Sequence, residues 1–134
     1  MPHNQNNLSL AEEWLKRAKS NLALAKQPKS EEIYLEDLCF ETQQAAEKGL
    51  KAVLIYKGIP FRFVHDIAEL LTLLEQNGIA LPENIRAAAG LTDYSVEARY
   101  PGPFEPVTEY EFKEALRLAE AVVVWAESQV MSNK

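Results

Sequence analysis

Cysteine is almost missing from this chain: Cys39 stands alone among 134 residues. One thiol cannot close an internal disulfide, so the core has to hold the fold, and a lone cysteine fits a reducing cytoplasm. Cys39 lies in the apolar stripe of a predicted helix and reads as a buried, inert thiol. Histidine is also scarce, with only His3 in the polar opening stretch and His65 further on. That scarcity argues against a histidine-rich metal site. The chain has no G-x-x-x-x-G-K-[ST], no G-x-G-x-x-G, no H-E-x-x-H, no C-x-x-C and no E-x-x-H of the di-iron bundles. No metal and no cofactor are therefore expected, and no nucleophile–histidine–acid set is suggested. No apolar run reaches the roughly 18 residues needed to cross a bilayer. The opening MPHNQNNLSL is polar and short of positive charge, unlike a secretory leader. A net charge of −6 argues against broad nucleic-acid binding, which needs a basic surface to neutralise phosphates. These absences point to a soluble cytoplasmic domain. A chain of this length buries about two thirds of its unfolded surface, enough for one independent core.

What the sequence has in quantity is helical periodicity. The stretch Leu35 to Gly58 reads as one helix of roughly six to seven turns. Leu35, Leu38, Cys39, Thr42, Ala46, Gly49, Leu50, Val53 and Leu54 recur at three- and four-residue spacings, the mark of a helix with one face in a core. Thr42, Ala45, Ala46 and Gly49 keep the middle of that stripe thin, so a neighbouring helix can come close. Gly58 fits a left-handed C-cap. Upstream, Ser9 and Glu12 form a capping-box pattern, and a first helix is expected from there to about Lys26, ended by Gln27-Pro28-Lys29-Ser30. Residues 1–8 are expected to be a disordered tail and residues 9–130 a single helical domain.

Downstream, Asp66 with Glu69 and Thr108 with Glu111 repeat the capping-box pattern at the starts of two more helices. Between them, Leu81-Pro82-Glu83 opens a weaker helical segment that Gly90 divides into two shorter pieces. Pro101-Gly102-Pro103-Phe104-Glu105-Pro106 is a loop that no helix or central strand could absorb. Val122-Val123-Val124-Trp125 is rich in strand formers, but its flanks are strongly helical. No alternating period-2 segment is present. The expected architecture is all-α: an antiparallel up-and-down bundle of four main helices with a shorter or broken fifth.

Three polar features carry the candidate chemistry, and each has two readings. His65-Asp66 either caps a helix, or offers a side chain that titrates near neutrality for proton transfer or ligand binding. In Thr92 to Pro101, Arg99 either ties down a helix terminus or presents a planar cation to phosphate, with Tyr94 and Tyr100 placed to stack on a base. On the long helix, Gln44, Lys48 and Lys51 share one side, Gln43 and Glu47 another, and Glu47 can pair with Lys51. That face is either solvated or a dimer seam, or its lysines join Arg99 in an anion site.

QQAAEKGLKAVLIYKGIPF, then HDIAELL, then YSVEARYP, in this order and spacing, resemble the HEPN domain (higher eukaryotes and prokaryotes nucleotide-binding). The resemblance runs from about Leu10 to Trp125 and is to stand-alone prokaryotic members, often encoded beside a small nucleotidyltransferase. It implies a helical bundle, commonly a homodimer, with one of two kinds of function. The first is non-catalytic binding of a nucleotide or of a nucleotidyltransferase partner, in a toxin–antitoxin-like system. Arg99 would then contact phosphate, Lys48 and Lys51 would add positive potential, and Tyr94 or Tyr100 would flank a base. Gln44, Glu47, His65 and Asp66 complete the expected ligand-binding set. The second is metal-independent RNA cleavage by an Arg-x(4–6)-His motif. Arg99 matches the arginine, but Phe104, Glu105 and Pro106 stand where the histidine belongs. Without it nothing in that motif exchanges a proton with the RNA 2′-hydroxyl near neutral pH. A ribonuclease would need His65 brought to Arg99 by the fold. A structural dimer scaffold is the third reading.

Overall fold

The computed structural model describes residues 5–62, 66–94 and 106–131. Its elements are α1 (Gln5–Ala25), α2 (Leu35–Lys57), α3 (Ile67–Gln76) and α4 (Glu83–Arg86), which passes into a 3₁₀ helix (Ala87–Tyr94), and then α5 (Glu109–Met131). The described residues hold no strand, so the all-α expectation stands. Helix α2 is the axis of the molecule, with α1 along one flank, α5 along another, and α3 with the 3₁₀ helix closing a further side. Side-chain pairs fix the directions. Trp14 lies beside Lys51 and Asn21 beside Glu41, so α1 is antiparallel to α2. Ion pairs of Lys19 with Glu127 and Lys26 with Glu120 make α1 antiparallel to α5 as well. Helices α2 and α5 therefore run parallel.

Helix α1 starts at Gln5, earlier than the expected start at Ser9. Leu8 packs on the core and extends the buried stripe of Ala11, Leu15 and Ala18 one turn back. Burial of that extra turn outweighs the cap, and Ser9 sits inside the helix. Helix α2 ends as expected. Gly58 adopts φ 71°, its N–H donates to the Ile55 carbonyl at 3.0 Å, and the Ile59 N–H donates to the Leu54 carbonyl at 2.9 Å. That pair of bonds is the Schellman closure, which satisfies carbonyls the helix leaves open. The thin middle of α2 is where α5 comes in: a Cβ on Gly49 would lie 3.5 Å from Val122 Cγ1 and 3.6 Å from Ala126 Cβ. Cys39 is buried and free.

The caps are met in part. Thr108 and Glu111 make both reciprocal bonds, at 3.0 and 3.1 Å. Asp66 Oδ1 accepts from the Ala68 and Glu69 N–H groups at 3.0 and 3.4 Å, but the Glu69 carboxylate turns to Arg62 at 2.8 Å instead of closing the box. The guanidinium is a charged, bidentate donor and outcompetes a backbone N–H. In the divided segment, buried Ile85, Ala88 and Leu91 fall three residues apart, which suits the 3₁₀ helix, where i and i+3 lie above one another. Val122 and Val123 are buried inside α5 while Val124 faces out.

Candidate functional site

The polar residues of α2 are not a solvated face. Gln43 is fully buried, Glu47 is 3 % exposed and Lys51 4 %. Four-residue spacing stacks them on one side of the helix, and Trp14 of α1 and Phe61 of the connector after Gly58 lie against its Lys51 end. Gln44 Nε2 donates to Gln43 Oε1 at 2.8 Å, Gln43 Nε2 donates to Glu47 Oε1 at 2.9 Å, and Lys51 Nζ donates to Glu47 Oε2 at 2.7 Å. This is a chain of hydrogen bonds converging on one carboxylate. The Trp14 and Phe61 rings each lie 5.9 Å from Lys51 Nζ, so the ammonium is held between two aromatic faces as well as by its anion.

A second group adjoins the first along the same helix. Lys48 Nζ donates to Asn21 Oδ1 at 2.8 Å, and Asn21 Nδ2 donates to Glu41 Oε1 at 2.6 Å. The Asn21 carboxamide thus bridges a cation and an anion on α2. Each lysine in the seam is matched by a glutamate, directly or through Asn21. The positive potential expected of Lys48 and Lys51 is balanced where it arises. Lys48 and Gln44 are only half-buried and form the mouth of the seam; Gln43, Glu47 and Lys51 form its floor.

The remaining expected residues divide. His65, Arg99 and Tyr100 lie outside the described residues. Asp66 is taken up by the α3 cap, and Tyr94 is half-buried against the hydrophobic core. The Ile67 N–H donates to Thr92 Oγ1 at 2.9 Å. It ties the start of α3 to the 3₁₀ helix. The Val107 N–H donates to Glu36 Oε2 at 3.0 Å, tying the residues before α5 to the start of α2.

Sequence reasoning did not select Asn21, Trp14 or Phe61 for the site. Asn21 carried a usable signal, since it interrupts the stripe of Ala18 and Ala25 with a polar side chain. The two rings gave none, because an aromatic on an inner face reads as core. A groove of about 520 Å³ between the start of α4 and α5, beside Pro82, Asn84, Arg117 and Trp125, is bordered by none of the expected site residues. Among the described residues no group of three or more His, Cys, Asp or Glu side chains is placed to hold a metal ion, and no helix is long and apolar enough to cross a membrane.

A family model described as the HEPN domain matches residues 11–129. Two solved structures are similar over nearly the whole chain. The crystal structure of an archaeal HEPN homologue shares 31% identity at a TM-score of 0.72, covering 90% of this chain and 97% of that one. The crystal structure of a Thermus thermophilus protein shares 31% identity at a TM-score of 0.63, covering 93% and 96%. No curated protein matches.

Proposed function

The chain belongs to the HEPN domain family, and from that premise we propose that it is a non-catalytic module that binds a nucleotide at the polar seam between α1 and α2. The observation that carries this reading is the seam itself. Helix α2 commits Gln43, Glu47 and Lys51 to its interior, and a buried ion pair is weak evidence for stability because desolvation offsets the attraction. Side chains kept there at little gain in stability are suited to another use. Gln44 and Lys48 at the mouth offer amide and ammonium groups to a base and a phosphate. Arg99 contributes the planar cation that makes bidentate bonds to phosphate, and Tyr100 and Tyr94 supply the stacking faces. Glu47 orients Lys51, and Asp66 and His65 complete the set that the resemblance implies.

A small nucleotidyltransferase partner, a homodimer and a toxin–antitoxin-like setting belong to the same reading; their support is the resemblance to stand-alone HEPN proteins. The test is a calorimetric titration of ATP, as probe nucleotide, into the purified chain and its Arg99→Ala variant. Loss of one charge-assisted hydrogen bond weakens binding by roughly 1–3 kcal/mol. An unchanged curve removes Arg99 from the site.

One observation favours a second reading, a divergent metal-independent ribonuclease using Arg99 and His65. The Ile67 N–H donates to Thr92 Oγ1, and these two residues stand two after His65 and seven before Arg99 in the sequence. That reading predicts RNA cleavage without added metal, lost in His65→Ala; cleavage that survives the substitution counts against it.

A further inference from the structure

The hydrogen-bond chain of the polar seam has a direction. A carboxylate only accepts and an ammonium only donates, whereas a carboxamide does both. Glu47 accepts Lys51 Nζ on Oε2 at 2.7 Å and Gln43 Nε2 on Oε1 at 2.9 Å. Gln43 therefore has to turn its nitrogen to Glu47, which leaves its oxygen towards Gln44. That oxygen in turn requires the nitrogen of Gln44, which donates at 2.8 Å. The two ends of a carboxamide are told apart by their partners, and here each assignment follows from the one before, starting at the Glu47 charge. Reversing Gln43 would set oxygen against oxygen at Glu47 and nitrogen against nitrogen at Gln44. Gln43 is fully buried, so no water relieves the wrong orientation. The relay ends at Gln44 Oε1. Gln44 is half-buried, and among the described residues its oxygen accepts no hydrogen bond. No buried side-chain nitrogen or oxygen there lacks a partner, so Gln44 Oε1 opens outward. Lys48 follows one helical turn later, with Nζ on Asn21 Oδ1 at 2.8 Å. The mouth of the seam is thus an oriented acceptor beside a cation.

We propose that Gln44 Oε1 reads an amino group on the nucleobase, and that Glu47, acting through Gln43, sets this preference without touching the ligand. The inference rests on the nucleotide reading of the seam and narrows it to bases with an exocyclic amino group, such as adenine. A base with a carbonyl at that place sets oxygen against oxygen. Gln44 is then the specificity-determining residue, and Gln43 and Glu47 are positioning residues. Replacing Glu47 by glutamine reverses the relay. Lys51 can only donate, so it takes the oxygen of the new amide, whose nitrogen then donates to Gln43 Oε1. Gln43 Nε2 turns to Gln44 Oε1, and Gln44 presents its N–H groups to the ligand. The preferred base changes from one with an amino group to one with a carbonyl.

The experiment is a calorimetric titration of ATP and of ITP, which carries a carbonyl in place of the 6-amino group. Both are titrated into the wild-type chain, Glu47→Gln, Gln43→Met and Gln44→Met, with circular dichroism to confirm each fold. Wild type should bind ATP about tenfold more tightly than ITP, the worth of one hydrogen bond made rather than opposed. Glu47→Gln should invert the order and bind ITP more tightly than ATP. A Glu47 that only supports the fold would weaken both nucleotides alike, and an unchanged order in that variant overturns the proposal. Gln44→Met should bind the two equally; a preference that survives it removes Gln44 as the reader. Gln43→Met stands in if Glu47→Gln does not fold. It frees the Gln44 amide to turn and should bring the two affinities together, and a wild-type ratio there counts against the relay. Equal binding of ATP and ITP to wild type retires this inference and leaves the nucleotide reading standing. Binding of neither retires both.

Discussion

Towards α5, helix α2 is dry and thin. Gly49 faces Val122 and Ala126, with Ala45, Ala46 and Val53 on the α2 side and Ala119 and Val123 on the α5 side, all buried. Elsewhere the same helix buries Gln43, Glu47 and Lys51, with Trp14 and Phe61 against Lys51, and engages Asn21 of α1 through Glu41 and Lys48. A polypeptide that can make the first kind of seam has no stability reason to make the second. Apolar contact is gained without desolvating charge, whereas replacing a buried ion pair by apolar side chains is often neutral or stabilising. The dry seam sets the fold and the polar seam is held by it. That division suits a module whose scaffold is ordinary and whose recognition lies inside a helix interface.

Removing half of the ion pair should have the largest effect. Glu47→Ala leaves the Lys51 charge buried without its anion and should destabilise by about 3–5 kcal/mol, read from urea unfolding; a loss below about 1 kcal/mol, the range of exposed pairs, would mean the pair is open to water. On the dry side, Gly49→Leu forces bulk against Val122 and should cost about 1–3 kcal/mol. Gly49→Ala should instead stabilise by up to about 1 kcal/mol, because alanine favours the helix over glycine and its Cβ would meet α5 only at ordinary contact distances. If both substitutions are silent in thermal unfolding, the close approach of the two helices is not real.

Smaller again is Thr108→Ala, which removes the hydroxyl acceptor of the Glu111 N–H and should cost about 1 kcal/mol, with faster hydrogen exchange confined to the first turn of α5. The smallest effect is at Arg62–Glu69. The Arg62 guanidinium, by hydrogen bond first and charge second, holds the Glu69 carboxyl below its ordinary value. A carboxylate lowered in the folded state stabilises fully above its unfolded value, and that contribution fades as pH falls through the lowered one. The thermal midpoint difference between wild type and Glu69→Gln should therefore be constant near neutrality and shrink in acid. A difference that grows on acidification would contradict the assignment.

Much of the dry architecture was legible in the sequence. The stripe of α2, its Gly58 terminus, the thin patch at Gly49 and the Thr108–Glu111 cap all follow from local spacing and side-chain type. The start of α1 was not, because Leu8 gains its value from a core that local capping rules cannot see. The polar seam was legible as composition and not as environment. Spacing placed Glu47 one turn from Lys51, but whether that face met water or protein depended on residues distant in sequence, Trp14 and Phe61 at Lys51 among them. The three-residue rhythm of Ile85, Ala88 and Leu91 was present to be read, and it distinguishes a 3₁₀ helix from an α-helix only when the intervening residues are known to be exposed.

The most direct test of the account replaces the ion pair as a unit. A Glu47→Leu/Lys51→Met double variant should keep or raise the thermal midpoint, as apolar replacement of a buried pair often does, and should bind ATP at least about tenfold more weakly than wild type, a difference of roughly 1.4 kcal/mol. Equal ATP affinity in the two proteins would contradict the central claim: the polar seam would then be a structural element only, and any nucleotide site would lie elsewhere on the fold.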